Sequence, residues 1–342
     1  MSSQGRTADA HGSGGPTAAD AGEFGLIDAI LAATAAAAPG GRLDPVQVPI
    51  GPGDDAALLA LAGPRVLVST DMLVEGRHFR RDWSDAADIG TRAAAANLAD
   101  IAAMGGYPRA LLVGFGAPAD TPVAWVRELA GALAAEAGTV GAVVIGGDTV
   151  AAPQVVLAIT VLGEPAPGGP VTRAGARPGD VVAVAGRLGW AAAGLAVLRR
   201  GFRSPRAAVN ALRRPEPPYA AGPAAALAGA RAMIDVSDGL LADLGHLARA
   251  SGVAIDLDPA TLVVDEPVAA VGAALNTDPL DFVLTGGDDH ALVACFPSDV
   301  ALPGGWRRIG RVQVPAEDGA EAVVSVGGVV RDGPTGHQHF SV

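Results

Sequence analysis

Six short aspartate-bearing turns, most of them containing glycine, constrain the chemistry of this chain more than any other feature. They lie at residues 53–55, 69–71, 97–100, 146–149, 235–239 and 286–289. Most follow an apolar, β-branched run, so we expect their carboxylates at strand ends. Carboxylates held within a few ångströms cannot all stay ionised unless a cation joins them. Mg²⁺ is the cation that this pattern predicts, because it binds carboxylate and phosphate oxygens together.

Composition narrows the class of protein. The chain has 342 residues, half of them hydrophobic, which is typical of two domains. Gly, Pro, Asp and Arg interrupt every apolar stretch before the roughly 18 residues of a membrane span, so no membrane partner is predicted. The net charge of −12 argues against nucleic acid as a partner. Residues 1–21 lack a signal-peptide pattern, and we expect them to be a disordered tail on a cytoplasmic protein.

The absence of lysine is a second constraint, because the 24 basic residues are all arginine. P-loop proteins and protein kinases both place a lysine on the nucleotide phosphates. Both classes of phosphotransferase are therefore excluded. Metal ions, arginine side chains and backbone amides must meet any phosphate here. The sequence thus favours a metal-dependent phosphoryl-transfer enzyme of another class.

Alternation of strand-like runs with long helices predicts an N-terminal α/β domain over residues 22–163. Within it, we expect one helix to begin at Pro122, with Thr121 as its N-cap. A dense cluster of Gly and Pro follows, and we place the domain boundary there.

A second α/β domain is predicted over residues 164–342, in which the run 282–285 is expected to be a strand. Both halves of the chain carry the aspartate turns. We therefore expect the active site in the cleft between the two domains.

Eight segments together resemble the thiamine-monophosphate kinases, which belong to the superfamily of aminoimidazole ribonucleotide synthetase. The segments are found at residues 22–27, 51–56, 69–79, 97–105, 146–149, 172–180, 234–240 and 285–289. A single Gly-Asp-Asp turn occurs by chance, whereas eight segments in the family's order are specific. The resemblance implies a mixed α/β (α+β) fold of two domains. It also implies a homodimer formed through a sheet of the N-terminal domain.

The activity implied by the resemblance is ATP-dependent phosphorylation of thiamine monophosphate to thiamine diphosphate. Transfer would be direct and in line, assisted by several Mg²⁺ ions. The nucleophile would be a phosphate oxygen that is already ionised near neutral pH. No side chain is therefore expected to act as a general base.

Matching motif positions imply the site residues. The implied metal ligands are Asp55, Ser69, Thr70, Asp71, Asp100, Asp148, Asp235 and Asp238. The implied ATP contacts are Gly147, Asp148, Arg173 and Ser237. The implied substrate contacts are His78 and Asp288, and Asp288 stands where the family has glutamate.

Structural alternatives exist for several of these residues. Ser237 could be only the N-cap of the following helix, although that helix N-terminus would itself suit a phosphate. His78 could pack in the protein interior, and Asp100 could be an ordinary polar residue on a helix face. Asp243 and His246 are expected on the solvated side of their helix.

The sequence departs from the family pattern in two segments that the resemblance places near thiamine. Residues 286–292 read Gly-Gly-Asp-Asp-His-Ala-Leu instead of Gly-Gly-Glu-Asp-Tyr-Glu-Leu, and residues 332–340 lack a tryptophan suited to stacking on the substrate ring.

One alternative function is that of another ATP-dependent synthetase of the superfamily, acting on a different phosphorylated or carboxylated small molecule. A second alternative is an acidic, metal-stabilised binding module without turnover.

Overall fold

The computed structural model describes residues 15–37, 44, 46–52, 56–315 and 323–337. Predictions for residues 1–14 and for Asp55 lie outside this part of the chain. The helices are α1 (Ala18–Ala37), α2 (Ala86–Ala103), α3 (Val123–Gly138), α4 (Trp190–Arg199), α5 (Arg206–Arg213), α6 (Ala221–Leu227), α7 (Leu240–Ser251), α8 (Glu266–Leu275) and α9 (Pro279–Thr285). The strands are β1 (Leu67–Val74), β2 (Gly106–Ala117), β3 (Val143–Ala151), β4 (Val156–Pro165), β5 (Val181–Ala185), β6 (Ala232–Val236), β7 (Ala254–Leu257), β8 (Ala291–Phe296), β9 (Trp306–Gln313) and β10 (Val324–Val326).

The N-terminal sheet has the strand order β1-β4-β2-β3. β4 is antiparallel to both of its neighbours, and β3 is parallel to β2. Leu157, Ile159 and Val161 on alternate positions of β4 are fully buried in a core shared with the helices. On the opposite face, Val48 and Leu59 cover Ala110 and Val143, and the described part of the chain leaves the rest uncovered. We call the uncovered part the open face, and its exposed apolar side chains are Val68, Met72, Leu112 and Val150.

The C-terminal sheet has the strand order β10-β7-β9-β5-β8-β6. One of its faces packs on α7 and α9. The other face packs on α6 and on the end of α2, where Ala102 and Ala103 join its core. Cys295 is fully buried in β8, as expected of a core residue. No helix in the described ranges is both long and apolar enough to cross a membrane.

Helix α2 therefore contacts both domains, and its small residues allow close approach. Ala93, Ala94 and Ala95 are completely buried. Gly222 of α6 lies so close that a Cβ atom there would be 1.9 Å from the carbonyl oxygen of Ala102. Only glycine permits this contact between the two domains.

Polar contacts also join the domains. The Arg214 Nε donates to Oδ1 of Asp88 at 2.6 Å, and the Tyr219 hydroxyl donates to Oε1 of Glu136 at 2.7 Å. Burial, partly offset by the Tyr219 hydrogen bond, raises the pKa of Glu136. The hydrogen bond gives the partly buried carboxyl group of Glu136 a polar partner.

Two local predictions were wrong. Residues 282–285 form the end of α9, which begins after Asp278, whose side chain accepts the N–H of Leu280. This cap starts a helix that the short apolar run did not reveal. α3 begins at Val123 with Pro122 as its N-cap, and no side chain caps it, so Thr121 does not have the predicted role.

Replacement of Gly222 by alanine tests the contact between the domains. In an ordinary helix, the exchange gains up to about 1 kcal/mol of stability. Here, overpacking against Ala102 should lower the free energy of unfolding by about 1–3 kcal/mol, as measured by urea denaturation. Gly304→Ala is the control, because its Cβ would meet nothing within 4 Å. Equal stability of the two variants would contradict the close packing.

Candidate active site

A cavity of about 1120 Å³ lies between the two domains. Its N-terminal wall is formed by β1, the segment 76–84 and one face of α2. Its C-terminal wall is formed by β6, α4 and the turn 285–290. Pockets for one small ligand usually measure about 300–1,000 Å³, so this cavity has room for two substrates.

Nine of the predicted site residues line this cavity. They are Ser69, Asp71, His78, Asp100, Arg173, Asp235, Ser237, Asp238 and Asp288. The N–H of Val74 donates to Nδ1 of His78 at 3.0 Å, so the backbone of β1 helps to hold this imidazole at the cavity.

Three predicted site residues lie apart from the cavity in this chain. Side chains alternate along β1, so Thr70 points to the open face, where its hydroxyl donates to the Ile159 carbonyl at 2.9 Å. Gly147 and Asp148 lie within β3, the strand at the other edge of the sheet. The aspartates are also not all at strand ends, since β1 and β3 continue beyond theirs.

Asn97 joins α2 to β1 beside the acidic residues. Its Oδ1 accepts the N–H of Asp71 at 3.1 Å, and its Nδ2 donates to the Ala93 carbonyl at 2.9 Å. The hydroxyl of Ser69 donates to Oδ2 of Asp100 at 2.6 Å. Asn97 was not predicted as a site residue, although it lies in the motif at residues 97–105.

Three carboxylates from three elements act on one another here. Burial, then the charges of Asp235 and Asp71, raise the pKa of Asp100 to about 7. The hydrogen bond from Ser69 opposes this shift. Asp100 is therefore not simply a solvated residue on a helix face. The carboxylates of β1, α2 and β6 share one region of negative potential.

His290 pairs with Asp235 inside this region. The His290 Nδ1 is 3.2 Å from Oδ2 of Asp235, and both side chains are buried. Burial alone would lower the pKa of His290, but the hydrogen bond and charge of Asp235 raise it overall. In the sequence, His290 is visible only as a departure from the family tyrosine.

Asp243 contradicts the prediction that it is solvated, because it is buried. Its Oδ2 accepts the N–H groups of Ser237, Asp238 and Gly239 at 3.1, 3.1 and 3.0 Å. Burial raises the pKa of Asp243 to about 7 in spite of these bonds. His246 is exposed, as expected.

The three hydrogen bonds to Asp243 decide how α7 begins. Gly239 is its N-cap, and no side-chain hydrogen bond caps the helix, so Ser237 does not act as an N-cap. The amides of the preceding loop already have an internal carboxylate partner. The chain itself therefore holds these three amides, whereas phosphate binding at the N-terminus of α7 stays a prediction.

Arg92 is a further cavity residue that the sequence analysis missed. Its guanidinium, mostly buried on α2, lies 2.9 Å from Oδ2 of Asp288 in the other domain. Burial would raise the pKa of Asp288, but the charge and hydrogen bond of Arg92, together with the charges of His290 and His337, lower that pKa overall. Arg92 and Asp100 lie two helical turns apart on one face of α2, and this spacing was the available signal.

Asp289 has a structural role beside the site. Its carboxylate accepts the N–H groups of Gly189 and Ala191 and so satisfies the start of α4. Burial raises the pKa of Asp289 to about 7 despite these bonds. The second aspartate of the turn 286–289 therefore holds α4 against the cavity.

Divalent metal suits the donor chemistry of the site. Within the ranges that the structure describes, no group of three His, Cys, Asp or Glu side chains is arranged to hold a metal ion. Mg²⁺ usually takes one or two protein carboxylates and completes its shell with water and substrate phosphates. Asp71, Asp100 and Asp235, with the Ser69 hydroxyl nearby, offer such oxygens.

Known protein families match both halves of the chain. The N-terminal domain of AIR synthase related proteins matches residues 53–164, and their C-terminal domain matches residues 177–313. A thiamine-monophosphate kinase of Mycobacterium tuberculosis is 50% identical over 87% of this chain and 86% of that protein. The Bacillus subtilis thiamine-monophosphate kinase is 34% identical over 81% and 84% of the two chains. The chain belongs to the thiamine-monophosphate kinase family.

Solved structures of thiamine-monophosphate kinases share this architecture. The enzyme of Stenotrophomonas maltophilia is 31% identical, with a TM-score of 0.75 over 90% of this chain and 96% of that one. AaThiL complexed with AMPPCP and TMP is 30% identical, with a TM-score of 0.73 over 94% and 97%. The hydrogenase maturation protein HypE, at 21% identity and a TM-score of 0.64 over 80% and 85%, shares the fold. The predicted two-domain α/β fold is thus confirmed.

Asp243 variants test how the loop before α7 is held. Asp243→Ala leaves three buried N–H groups without their acceptor and should lower the free energy of unfolding by about 1–3 kcal/mol. Asp243→Asn keeps one side-chain oxygen and should lose much less. Urea denaturation of both variants, without metal or nucleotide, measures the difference. Equal loss in the two would show that the acceptor oxygen does not hold the loop.

Proposed function

We propose that this protein transfers the γ-phosphoryl group of ATP to thiamine monophosphate, giving thiamine diphosphate and ADP. The observation that carries the proposal is the cavity between two domains, which gathers nine residues implied by the family resemblance. The relatives from Mycobacterium tuberculosis and Bacillus subtilis are thiamine-monophosphate kinases, and the match covers most of their length. AaThiL has been solved with AMPPCP and TMP, which supports two substrates in one site.

The transfer needs no general base. A terminal oxygen of the thiamine monophosphate phosphate attacks the γ-phosphorus of ATP, and the bond from that phosphorus to the bridging oxygen of the β-phosphate breaks. ADP leaves with the bonding electron pair, and no proton has to move first. The protein must align two highly charged groups and offset their repulsion.

Arginine and histidine side chains support these tasks. Arg173 lines the cavity beside Ser237 and would fork onto ATP phosphate oxygens. Arg92 would neutralise phosphate charge if it exchanged Asp288 for a substrate. His78 and Asp288 lie on the side that we assign to thiamine.

Mg²⁺ is proposed as the metal of this site. Asp71, Asp100, Asp235 and Asp238 would hold it, with oxygens from Ser69. When bound, Mg²⁺ neutralises phosphate oxygens and so lowers the barrier to attack by an anionic nucleophile. Thr70 and Asp148 remain proposed ligands, although they do not line the cavity of this single chain. Asp55, which lies outside the described residues, is also proposed as a ligand.

A homodimer is proposed through the open face of the N-terminal sheet. Val68, Met72 and Val150 are each more than half exposed on it. Exposed apolar side chains grouped on one sheet face favour association. Thr70 and Asp148 also lie on this sheet, so pairing of two copies would give both residues new surroundings. We further propose a cytoplasmic location.

ADP release tests the proposed reaction. With ATP and Mg²⁺, thiamine monophosphate should give turnover that EDTA abolishes, whereas free thiamine and aminoimidazole-pathway nucleotides should give none. Asp71→Asn should lower kcat by about 10²–10³-fold, because it removes a charge from the metal site. The exposed Asp120→Asn variant is the control and should keep full activity.

Other results of this assay would reject the proposal. Turnover with another phosphorylated acceptor alone would assign the protein to a sister family. Stabilisation by Mg²⁺ and ATP in thermal melts, without ADP release, would indicate a binding module. Full activity of Asp71→Asn would exclude that residue as a metal ligand.

A charge on the open face tests the dimer. Leu112→Glu puts a carboxylate at its centre on β2 and should convert a dimer to monomers in sedimentation-velocity experiments. Leu227→Glu, at an exposed position of α6, is the matched control and should sediment like the unmodified protein. A monomeric unmodified protein would refute the proposed dimer.

A further inference from the structure

The cavity has two chemically different ends. One end holds the carboxylates of Asp71, Asp100 and Asp235. The segment before α2, with Phe79 and Trp83, lines the other end. α2 rises about 1.5 Å per residue, so the fifteen residues from its N-cap Asp85 to Asp100 separate the two ends by about 22 Å.

Trp83 joins the two domains at the second end. It belongs to the connection between β1 and α2, yet it packs on the apolar cluster of α4, α5 and α8 in the other domain. Leu195 and Leu212 of that domain line the cavity with it. The indole is only partly buried, so part of its surface faces the cavity.

A cation already lies over the Trp83 ring. The guanidinium carbon of Arg80 is 4.5 Å from the ring centroid. Two hydrogen bonds to Asp82, of 2.9 and 2.7 Å, hold Arg80 there, although about half of its side chain is exposed. The negative face of the indole is thus turned to a position that attracts positive charge.

A second arginine–tryptophan pair provides a comparison. The guanidinium carbon of Arg187 lies 4.7 Å from the centroid of Trp190, whose Nε1 donates to Asp265 at 2.8 Å. Neither member of that pair lines the cavity. The pair at Trp83 therefore differs in its access to the site, not in its geometry.

We propose that the Trp83 ring binds the thiazolium cation of thiamine monophosphate and that Arg80 occupies this position until the substrate displaces it. The inference rests on the proposed function and adds the group that recognises the substrate ring. The quaternary nitrogen of thiazolium has no hydrogen to donate, so an aromatic face is a suitable partner. The phosphate of the same molecule then points along α2 toward Arg92, because the substrate is too short to reach the acidic end. The triphosphate of ATP would span the remaining distance to the carboxylates. Trp83 would supply the aromatic surface that the C-terminal segment lacks.

Equilibrium binding separates this role from catalysis. The dissociation constant of thiamine monophosphate is measured calorimetrically with Mg²⁺ and without ATP. Trp83→Leu should weaken binding by about 5- to 30-fold, the range expected for a lost cation–π contact in a partly desolvated site. Trp83→Phe should lose less, and Arg80→Ala should bind at least as tightly as the unmodified protein. Trp190→Phe and Arg187→Ala are the matched controls and should not change this constant.

A neutral analogue tests the charge itself. In it, a thiophene replaces the thiazolium ring while the pyrimidine and phosphate are retained. Trp83→Leu should weaken its binding much less than that of thiamine monophosphate. Equal losses would overturn the cation–π assignment. If Trp83→Leu does not fold, as judged by thermal melting, the dissociation constants of Trp83→Phe and Arg80→Ala for thiamine monophosphate test the assignment instead.

Steady-state kinetics complete the test. A raised KM for ATP with an unchanged KM for thiamine monophosphate would put the adenine at Trp83 and overturn the inference. Unchanged constants for both substrates would overturn it as well. Neither result affects the proposed function, which fails only if the unmodified protein does not phosphorylate thiamine monophosphate.

Discussion

The burial of α2 between the two domains is the constraint on which the rest of the structure depends. Its inner face carries alanines that are completely buried, and Gly222 of the C-terminal domain touches its backbone. Larger side chains would push the domains apart. Because one rigid helix belongs to both interfaces, Arg92 and Asp100 have fixed positions relative to the C-terminal residues that they meet. The cavity is a direct result of this packing.

Negative charge is concentrated in the part of the cavity that holds Asp71, Asp100 and Asp235, although five arginines also line the cavity. His290 pairs with Asp235, and Arg92 pairs with Asp288. Asp243 uses its carboxylate on three backbone amides of the loop that carries Asp238. The raised pKa of Asp100 reflects burial and the nearby carboxylates. Such a site suits a reaction in which metal ions bring phosphates to carboxylates.

Several predictions made from short sequence motifs agree with the structure. The family, the two-domain fold and the cavity location of Asp71, Asp100 and Asp235 followed from motif order, although these residues are far apart in the chain. A prediction was wrong where a short apolar segment is compatible with both a strand and a helix. Residues 282–285 are apolar and β-strand-like, but the Asp278 cap makes them helical. Asp243 was misplaced because its partners lie in the loop that precedes its own helix.

The sequence by itself determined the kinds of residue that the site would contain and the family to which they belong, because motif order and composition are written in the chain. Only the tertiary structure decided which of those residues meet. Strand pairing turns Ser69 and Asp71 to the cavity and Thr70 away from it, since neighbouring side chains on β1 point to opposite faces. Domain packing brings Trp83 onto the C-terminal domain and Arg92 to Asp288. Such contacts depend on the distance and angle between elements, which no local pattern encodes.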